Sequence, residues 1–496
     1  MLTRRELLKR ATRAGIAAAL MPAACTVPPR EPDGVWVNDV HSQLNRTRVL
    51  GIERPTNIEA LKALVIRAGN QERSISVMGG RHAMGGQQFG SDTFLIDMNG
   101  MQGIHEFDAQ KGEVEIGAGM QWPELIAELL ELQRGHERPW GIVQKQTGAD
   151  RLSIGGALAA NVHSRGLSYQ PIVQDVEAFT LIDARGEILR CSRQENTELF
   201  QLTIGGYGLF GVIATVRLRL APRQKIERVV EVTDVSGIAS RFEERIEQGF
   251  LFGDFQYSTD VQSESLLRQG VFSCYRPVDP DTPVPESQHA LSRDNWLSLL
   301  ELGHVNRAEA FNQYSSYYLG TNGQVYWSDT HQLSTYIDDY HFELGRRIGA
   351  LSEGTEMITE IDVPRNALAP FLEEVRADFI ENNVNLIYGT IRMIERDDET
   401  FLAWAREPWA CIIFNLHTAH DAESLDRTAE HFRRLIERGR AYGGTYYLTY
   451  HRWATRDQLL ACYPRFPEFL QLKLQHDPQE LFQSDWYRHY RALFSG

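Results

Sequence analysis

A glycine-rich segment around one histidine is the part of this sequence best suited to hold a ligand. Residues 76–87 read Ser-Val-Met-Gly-Gly-Arg-His-Ala-Met-Gly-Gly-Gln, so four glycines surround His82. They follow the alternating run 74–77, which is typical of a strand. Glycines let a backbone approach a ligand closely, and consecutive N–H groups can converge on an anion. We therefore expect a loop that holds a phosphate-bearing ligand beside His82; the alternative is a glycine-rich surface turn.

Two further segments contain closely spaced small residues. Residues 153–161 read Ser-Ile-Gly-Gly-Ala-Leu-Ala-Ala-Asn, which allows a flat ring or a pyrophosphate to approach, or a helix to pack tightly. Residues 206–211 match the dinucleotide pattern G-x-G-x-x-G. That pattern functions only where its last glycine opens a helix. Because residues 212–220 alternate in polarity and predict a strand, we exclude a Rossmann site and expect a tight turn.

Composition and the N-terminus limit the class of protein. The 496 residues are enough for about two or three domains. A net charge of -15 without runs of Lys and Arg argues against a nucleic-acid partner. Residues 3–9 resemble a twin-arginine export signal, and the weakly apolar run 15–24 that follows is too short to span a bilayer. We expect a periplasmic or secreted protein; the alternative for this segment is a basic amphipathic helix.

The cysteines give no sign of a metal site. Cys25 follows the apolar run and is a candidate for lipid attachment, which would tether the protein to a membrane. The other four are far apart in the sequence and form no C-x-x-C pair, so no metal site is expected. In an oxidising compartment a disulfide can form, but the sequence does not pair them. They are Cys191, Cys274, Cys411 and Cys462.

Hydrophobic periodicity predicts an α+β protein. A helix should begin after Pro55, with Thr56 as its N-cap and Glu59 completing a capping box. Short strands and helices then alternate through about residue 222. The predicted strands are 94–98 and 113–119, and the predicted helices are 122–132, 371–380 and 425–436.

Taken together, these segments resemble the flavoprotein superfamily of vanillyl-alcohol oxidase, whose FAD-binding domain is of the p-cresol methylhydroxylase (PCMH) type. The likeness rests on the order and spacing of residues 79–87, 153–161 and 176–213. The first block resembles the histidine loops of alditol oxidases and cytokinin dehydrogenases, in which that histidine is bonded to the 8α carbon of FAD. Residues 463–486 resemble the segment that returns to the FAD domain in aldonolactone, alditol and decaprenylphosphoryl-ribose oxidases.

The resemblance implies a domain organisation. We expect an α+β protein with an FAD-binding PCMH-type domain of two subdomains and an α+β substrate (cap) domain. A signal and linker would occupy residues 1–33, the FAD-binding domain residues 45–222 and the cap domain residues 223–440. The C-terminal segment, residues 441–496, would return to the FAD-binding domain.

The resemblance also implies the cofactor and its ligands. FAD would be bound, and His82 would attach it covalently. Ala83 replaces the usual serine of the loop, which removes one hydroxyl donor and leaves the backbone N–H groups. The residues expected to bind FAD are Gly79, Gly80, Arg81, His82, Ala83, Gln87, Gly119, Ser153, Gly156, Ala159, His163 and Ile213.

On the substrate side the resemblance is weaker. Glu360 and Arg392 lie in segments similar to two cap strands of alditol oxidases, where a Glu and an Arg face the substrate. Those oxidases carry H-W-G-K near the C-terminus. The comparable stretch here, residues 446–453, has no lysine, and His451 or Tyr450 would take its place. Asp150 lies two positions from the register of the cytokinin dehydrogenase catalytic aspartate. The substrate is therefore left open.

We expect an exported FAD enzyme that oxidises a CH–OH group of a sugar, alditol or aldonolactone, with oxygen or a quinone as electron acceptor. The hydroxyl proton needs a base within hydrogen-bond reach. His451 suits this role by its ordinary pKa, and Tyr450 would suit it if Arg392 lowered its pKa; Arg392 can instead hold a developing alkoxide. The alternatives are a dehydrogenase of an amine or other non-sugar substrate and a non-catalytic flavin-binding protein.

Overall fold

A computed structural model describes residues 34–334 and 340–495. The twin-arginine-like segment, most of the linker and Cys25 lie outside the described residues. Among the described residues, no helix is both long enough and apolar enough to cross a membrane.

Strands and helices are mixed along the chain, which confirms the predicted α+β class. The strands are β1 (Val35–Val37), β2 (Thr47–Val49), β3 (Gly51–Glu53), β4 (Ile75–Met78), β5 (Phe94–Asp97), β6 (Ile104–Asp108), β7 (Glu113–Gly117), β8 (Trp140–Ile142), β9 (Val176–Ile182), β10 (Ile188–Ser192), β11 (Val212–Pro222), β12 (Lys225–Asp234), β13 (Phe252–Tyr257), β14 (Gln269–Pro277), β15 (Val325–Trp327), β16 (Gly354–Pro364), β17 (Leu386–Ile394), β18 (Trp409–Ala419) and β19 (Thr445–Tyr446). The helices are α1 (Ile58–Asn70), α2 (Trp122–Leu132), α3 (Ile154–Ala160), α4 (Thr197–Thr203), α5 (Ile238–Glu247), α6 (Arg293–Val305), α7 (Arg307–Gly320), α8 (Tyr340–Arg347), α9 (Leu368–Glu381), α10 (Ala422–Ala441), α11 (Arg456–Cys462), α12 (Phe466–His476) and α13 (Asp485–Leu493).

Helix α1 begins one residue later than predicted. Its N-cap is Asn57, whose side chain accepts a hydrogen bond from the Ala60 N–H at 2.8 Å, so the prediction of Thr56 as the cap is wrong. Asn is at least as good a cap as Thr, because its short side chain also accepts from the amide of the third helical residue. The buried face of α1 carries Leu61, Val65 and Ala68 at helical spacing, as the sequence predicts.

The first half of the chain forms two main sheets. Strands β3, β5 and β4 form a parallel three-stranded sheet, and β10, β9, β11, β7 and β6 lie in order in a six-stranded sheet, where β8 also pairs with β11. Strand β11 directly follows the glycine turn at residues 206–211. Because a strand and not a helix comes after these glycines, the exclusion of a Rossmann site is confirmed.

An eight-stranded sheet occupies the region after residue 222. Its order is β15-β12-β14-β13-β17-β18-β16-β19, and its pairings are antiparallel. The predicted helices at 371–380 and 425–436 lie inside α9 and α10. The domain bounds stay predictions, but the change of sheet falls between β11 and β12, and β19 extends the second sheet to Tyr446.

The C-terminal segment lies beside the strand that leads to His82. Phe482 forms a parallel bridge with Ile75 of β4. The turn before it is held by Asp477, which is buried, pairs with the buried Lys473 and accepts hydrogen bonds from the Leu481 and Phe482 N–H groups. The end of the chain therefore supports the edge of the three-stranded sheet from which the glycine-rich loop emerges.

Candidate active site

One cavity brings together the segments that the sequence singled out. Its volume is about 360 Å³, and its walls come from the loop after β4, helix α3, the start of β11 and one face of the eight-stranded sheet. Ten of the residues predicted to bind FAD line it: Gly79, Gly80, Arg81, His82, Ala83, Gln87, Ser153, Gly156, Ala159 and Ile213. The glycine-rich loop and the small-residue helix thus form parts of one site.

The glycines of the loop are required by a close approach to the segment before α3. A Cβ atom on Gly79 would lie 1.9 Å from Oγ of Ser153, and one on Gly80 would lie 2.1 Å from the Arg151 carbonyl oxygen. Ser153 in turn caps α3 by accepting a hydrogen bond from the Gly156 N–H at 3.2 Å. The cavity wall here consists of backbone and small side chains, which is what a flat ring or a pyrophosphate needs in order to approach.

His82 lies in this wall as a neutral imidazole. The pKa of His82 is lowered to about 4, chiefly by burial. The nearby His41 and Arg81 also lower this pKa, and Asp39, which raises it, offsets them only in part. At neutral pH the ring therefore carries no charge and one of its nitrogens keeps a lone pair. A lone pair is what a histidine needs in order to form a bond with carbon.

The eight-stranded sheet presents one face to the cavity. In a strand, alternate residues share a face, so positions two apart line the cavity together. Glu360 and Asp362 lie on the same face of β16, opposite Ile413 and Cys411 of β18, and are fully buried. The residues of this face that reach the cavity are Ile358, Tyr388, Thr390, Arg392, Ile413 and Asn415.

Arg392 brings a buried positive charge to the cavity. Its exposed fraction is 4%, and among the described residues it forms no ion pair with a carboxylate. Its Nε atom is buried and has no hydrogen-bond partner within residues 34–334 and 340–495. Since a buried charge without a partner is costly, this guanidinium is suited to hold an oxygen that carries or gains negative charge.

Tyr450 connects the cavity to Glu360. Its hydroxyl accepts a hydrogen bond from Nε2 of Gln146 at 3.4 Å and donates one to Oε2 of Glu360 at 3.5 Å. Burial and the Glu360 charge raise the pKa of Tyr450 well above its usual value, although Arg392 lowers it. The condition under which Tyr450 would act as a free base, a pKa lowered by Arg392, is therefore not met, and the side chain stays a neutral phenol.

His163 lies behind Glu360 and does not line the cavity; its contact with the flavin stays a prediction. Its Nε2 atom is 3.0 Å and 3.2 Å from the two Glu360 oxygens, and its Nδ1 atom is 3.1 Å from the Ser164 carbonyl oxygen. His163 thus packs against Glu360, which is joined to the cavity through Tyr450.

His451 faces away from the cavity. Its Nε2 atom lies 3.2 Å from Oγ1 of Thr359, and its ring packs against Phe432 and Trp453. Thr359 is on the opposite face of β16 from Ile358 and Glu360, because neighbouring residues of a strand alternate. Burial also lowers the pKa of His451 to about 3. This position does not support His451 as the base, and Tyr450 is the candidate that reaches the cavity.

Two other predicted positions lie outside the cavity. Gly119 does not line it; a Cβ atom there would be 1.7 Å from the Met98 carbonyl oxygen, so close backbone packing requires this glycine, and its contact with FAD stays a prediction. Asp150 pairs with the buried Lys145 at 2.5 Å and accepts a hydrogen bond from the Ser334 N–H. This ion pair closes the loop 146–149, which lines the cavity, so Asp150 positions the loop.

A comparison with known families identifies the wall formed by the glycine-rich loop and helix α3. Residues 49–192 match the family described as "FAD binding domain". The chain carries an FAD-binding domain. The match contains both the His82 loop and the small-residue run, and it confirms the predicted cofactor and the resemblance to the PCMH type. The wall of this FAD-binding domain consists of backbone at Gly79 and Gly80, which carry no Cβ atom. Such a wall fits a flavin dinucleotide.

Individual relatives fall into two groups. The chain is 27% identical to L-gulonolactone oxidase of Bos taurus over 42% of this chain and 46% of the relative. It is 24% identical to cytokinin dehydrogenase 9 of Oryza sativa subsp. japonica over 73% of this chain and 70% of the relative. Cytokinin dehydrogenase 3 of the same plant is 29% identical over 36% of this chain and 34% of the relative. The chain thus spans less than half the length of the L-gulonolactone oxidases it matches, including that of Mus musculus.

Sequence reasoning missed several residues around the FAD-binding domain. Thr390 and Tyr388 line the cavity two and four residues before Arg392, so strand alternation from Arg392 would have found them. Asp362 follows Glu360 by the same spacing, and burial and the Glu360 charge raise its pKa well above the usual value. The pairing of Lys145 with Asp150 gave no sequence signal, because it forms within an irregular loop.

We predict that Gly80→Ala weakens flavin binding. The added Cβ must displace the Arg151 carbonyl, and overpacking of this kind costs about 1–3 kcal/mol of unfolding free energy. Flavin content per protein and the thermal midpoint should both fall. Gly69→Ala is the matched control, since nothing lies within 4 Å of its added Cβ. Unchanged flavin content in Gly80→Ala would show that the loop does not form the flavin wall.

Proposed function

We propose that this chain is an FAD-dependent oxidoreductase that oxidises a CH–OH group of a small polar substrate of the sugar, alditol or aldonolactone type. The observation that supports it is one cavity with the FAD-binding loop on one side and Arg392 and Tyr450 on the other, with Glu360 behind Tyr450. The likeness to L-gulonolactone oxidase supports a sugar-lactone substrate. Oxygen or a quinone is the proposed electron acceptor.

The reaction requires a hydride and a proton to leave the alcohol. Bound FAD supplies the acceptor for the hydride at flavin N5. Arg392 holds the substrate oxygen and stabilises the negative charge that develops on it as the proton departs. The alcohol becomes a carbonyl, and its hydroxyl proton has to reach a group within the protein.

Tyr450 relays this proton. A phenol with a raised pKa does not act as a free base, so Tyr450 takes the substrate proton while it gives its own to Glu360. Glu360, which lies within hydrogen-bond distance of both Tyr450 and His163, accepts it. Burial and the Glu360 charge raise the pKa of Asp362 beside it, which favours the neutral form of this second carboxyl.

The alternative is a dehydrogenase of an amine or another non-sugar substrate that passes electrons to a quinone or a protein. The longer alignment with cytokinin dehydrogenase 9 supports this alternative. The ion pair of Asp150 with Lys145 argues against a reaction of the cytokinin dehydrogenase type. Asp150 is the aspartate of residues 146–150, and in this pair it does not line the cavity. Export by the twin-arginine-like segment, with or without lipid at Cys25, belongs to the proposal on sequence grounds alone.

A substrate screen tests the proposal. Flavin-loaded protein is mixed without oxygen with L-gulonolactone, other aldonolactones, alditols, aldoses and, separately, cytokinins and other amines. We expect loss of the yellow flavin absorbance with a member of the first group, and peroxide after oxygen is admitted if the protein is an oxidase. Bleaching by dithionite alone would support a non-catalytic flavin-binding protein. Bleaching by amines only would support the alternative.

Tyr450→Phe should slow substrate bleaching by about 10²–10⁴-fold, the usual contribution of a positioned proton-transfer group. Phenylalanine keeps the packing of the buried ring, so flavin content should not change. Tyr442→Phe is the control, since its hydroxyl also bonds a carboxylate, Glu374, but outside the cavity. Equal bleaching rates in the wild type and in Tyr450→Phe would contradict the proton relay.

Covalent attachment at His82 can be tested by itself. We expect acid-precipitated wild-type protein to stay yellow and fluorescent, and His82→Ala to release its flavin into the supernatant. The neutral imidazole, with a pKa of about 4, keeps the lone pair that the bond requires. His105→Ala, at an exposed histidine, should behave as the wild type. A colourless wild-type pellet would remove the covalent bond from the proposal but leave FAD binding.

A further inference from the structure

A second cluster of titratable side chains surrounds Glu356. Nε2 of His304 and Nδ1 of His417 each lie 3.1 Å from the same oxygen, Oε1 of Glu356. The three atoms lie within 4.8 Å of one another, and the two imidazole rings are nearly perpendicular. None of these residues takes part in the proton relay at Tyr450.

Three separate elements supply the cluster. Glu356 of β16 faces His417 of β18 across the sheet, and His304 reaches them from the last turn of α6. The next pair on the same face, Ile358 and Asn415, lines the flavin cavity. Two residues along a strand span about 7 Å, so the cluster lies at the rim of that cavity.

The cluster is buried and contains an anionic group. The exposed side-chain fractions are 6% for His304, 6% for Glu356 and 24% for His417. Burial raises the pKa of Glu356, but the hydrogen bonds from His304, His417 and Tyr340 lower it more, so the net pKa lies below its usual value. Within the described residues Glu356 pairs with no lysine or arginine, and its ion-pair partners there are the two imidazoles.

We propose that His304, Glu356 and His417 bind one divalent transition-metal ion of the Zn²⁺ class. Zinc bonds imidazole nitrogen and carboxylate oxygen at about 2.0–2.2 Å, which places tetrahedral ligand atoms about 3.3 Å apart. The two observed distances of 3.1 Å need only a small expansion to admit the ion. Each imidazole then carries its hydrogen on the other ring nitrogen, and a fourth position stays open for water or a substrate oxygen.

Two features around the cluster favour an ion over a simple hydrogen-bonded carboxylate. The Tyr340 hydroxyl donates to the second oxygen of Glu356 at 2.6 Å, which orients the carboxylate as outer-shell partners of metal ligands do. Nε2 of His41 and both ring nitrogens of His341 are buried without hydrogen-bond partners in the region that the structure describes. His41 interacts electrostatically with both Glu356 and His341. Imidazole nitrogens of this kind can bind an ion directly or through water.

Zinc titration of the flavin-loaded protein tests this site. The protein should carry no histidine tag, should be treated with a chelator, and should be titrated with Zn²⁺ while bound metal is measured. We expect one tight site per chain. His304→Gln and His417→Gln should each weaken it more than about 100-fold, since even loss of an outer-shell partner costs about 10–100-fold. His476→Gln is the control, because it removes a similar contact with Glu198 elsewhere in the chain.

The results separate an ion site from a metal-free cluster. No Zn²⁺ uptake by the wild type, or equal uptake by His304→Gln and His417→Gln, would overturn the proposal. If these variants lose flavin and do not fold, X-ray absorption of the zinc-loaded wild type decides. Two imidazoles and a carboxylate at about 2.0–2.2 Å would support the site, and any other ligand set would overturn it. Because the readout is metal content, failure here leaves the proposed oxidation untouched.

Discussion

The close contact between the loop after β4 and the segment before α3 is the constraint on which the cavity depends. Gly79 and Gly80 leave no space for a Cβ atom against Ser153 and the Arg151 carbonyl. The resulting wall is made of backbone and small side chains, and a cofactor can lie against it. The C-terminal segment, through the bridge of Phe482 with Ile75, supports the strand that leads into the same loop. A larger side chain at this contact would separate the walls that the site needs.

The eight-stranded sheet forms the second wall of the cavity, and strand alternation determines which of its side chains face the cavity. On the face of β16 and β17 toward the cavity lie Glu360 and Arg392, whereas Thr359 and its partner His451 lie on the other face. A shift of one residue in register would exchange these sets. The long antiparallel pairing of β16 with β18 therefore decides which titratable groups lie on the face toward the cavity and which lie on the opposite face.

Electrostatics then assigns different roles to groups of the same type. Arg392 remains charged and without a carboxylate partner among the described residues, while Arg223 is neutralised by Asp329 at 2.7 Å. Glu360 lies between Tyr450 and His163, and Glu356 is held as an anion by two imidazoles and a phenol. Burial is common to these carboxylates, so their surroundings differ chiefly in the hydrogen-bond donors that face them.

The sequence by itself determined the elements and the cofactor. The glycine loop, the small-residue run, the strand after residue 211 and helices such as α2 depend on neighbouring residues, whose spacing is visible in the chain. The tertiary structure alone decided which candidate faces the cavity, Tyr450 or His451, and it joined His163 to Glu360 and His304 to His417. These partners are far apart in the sequence, and no local periodicity encodes the packing that brings them together.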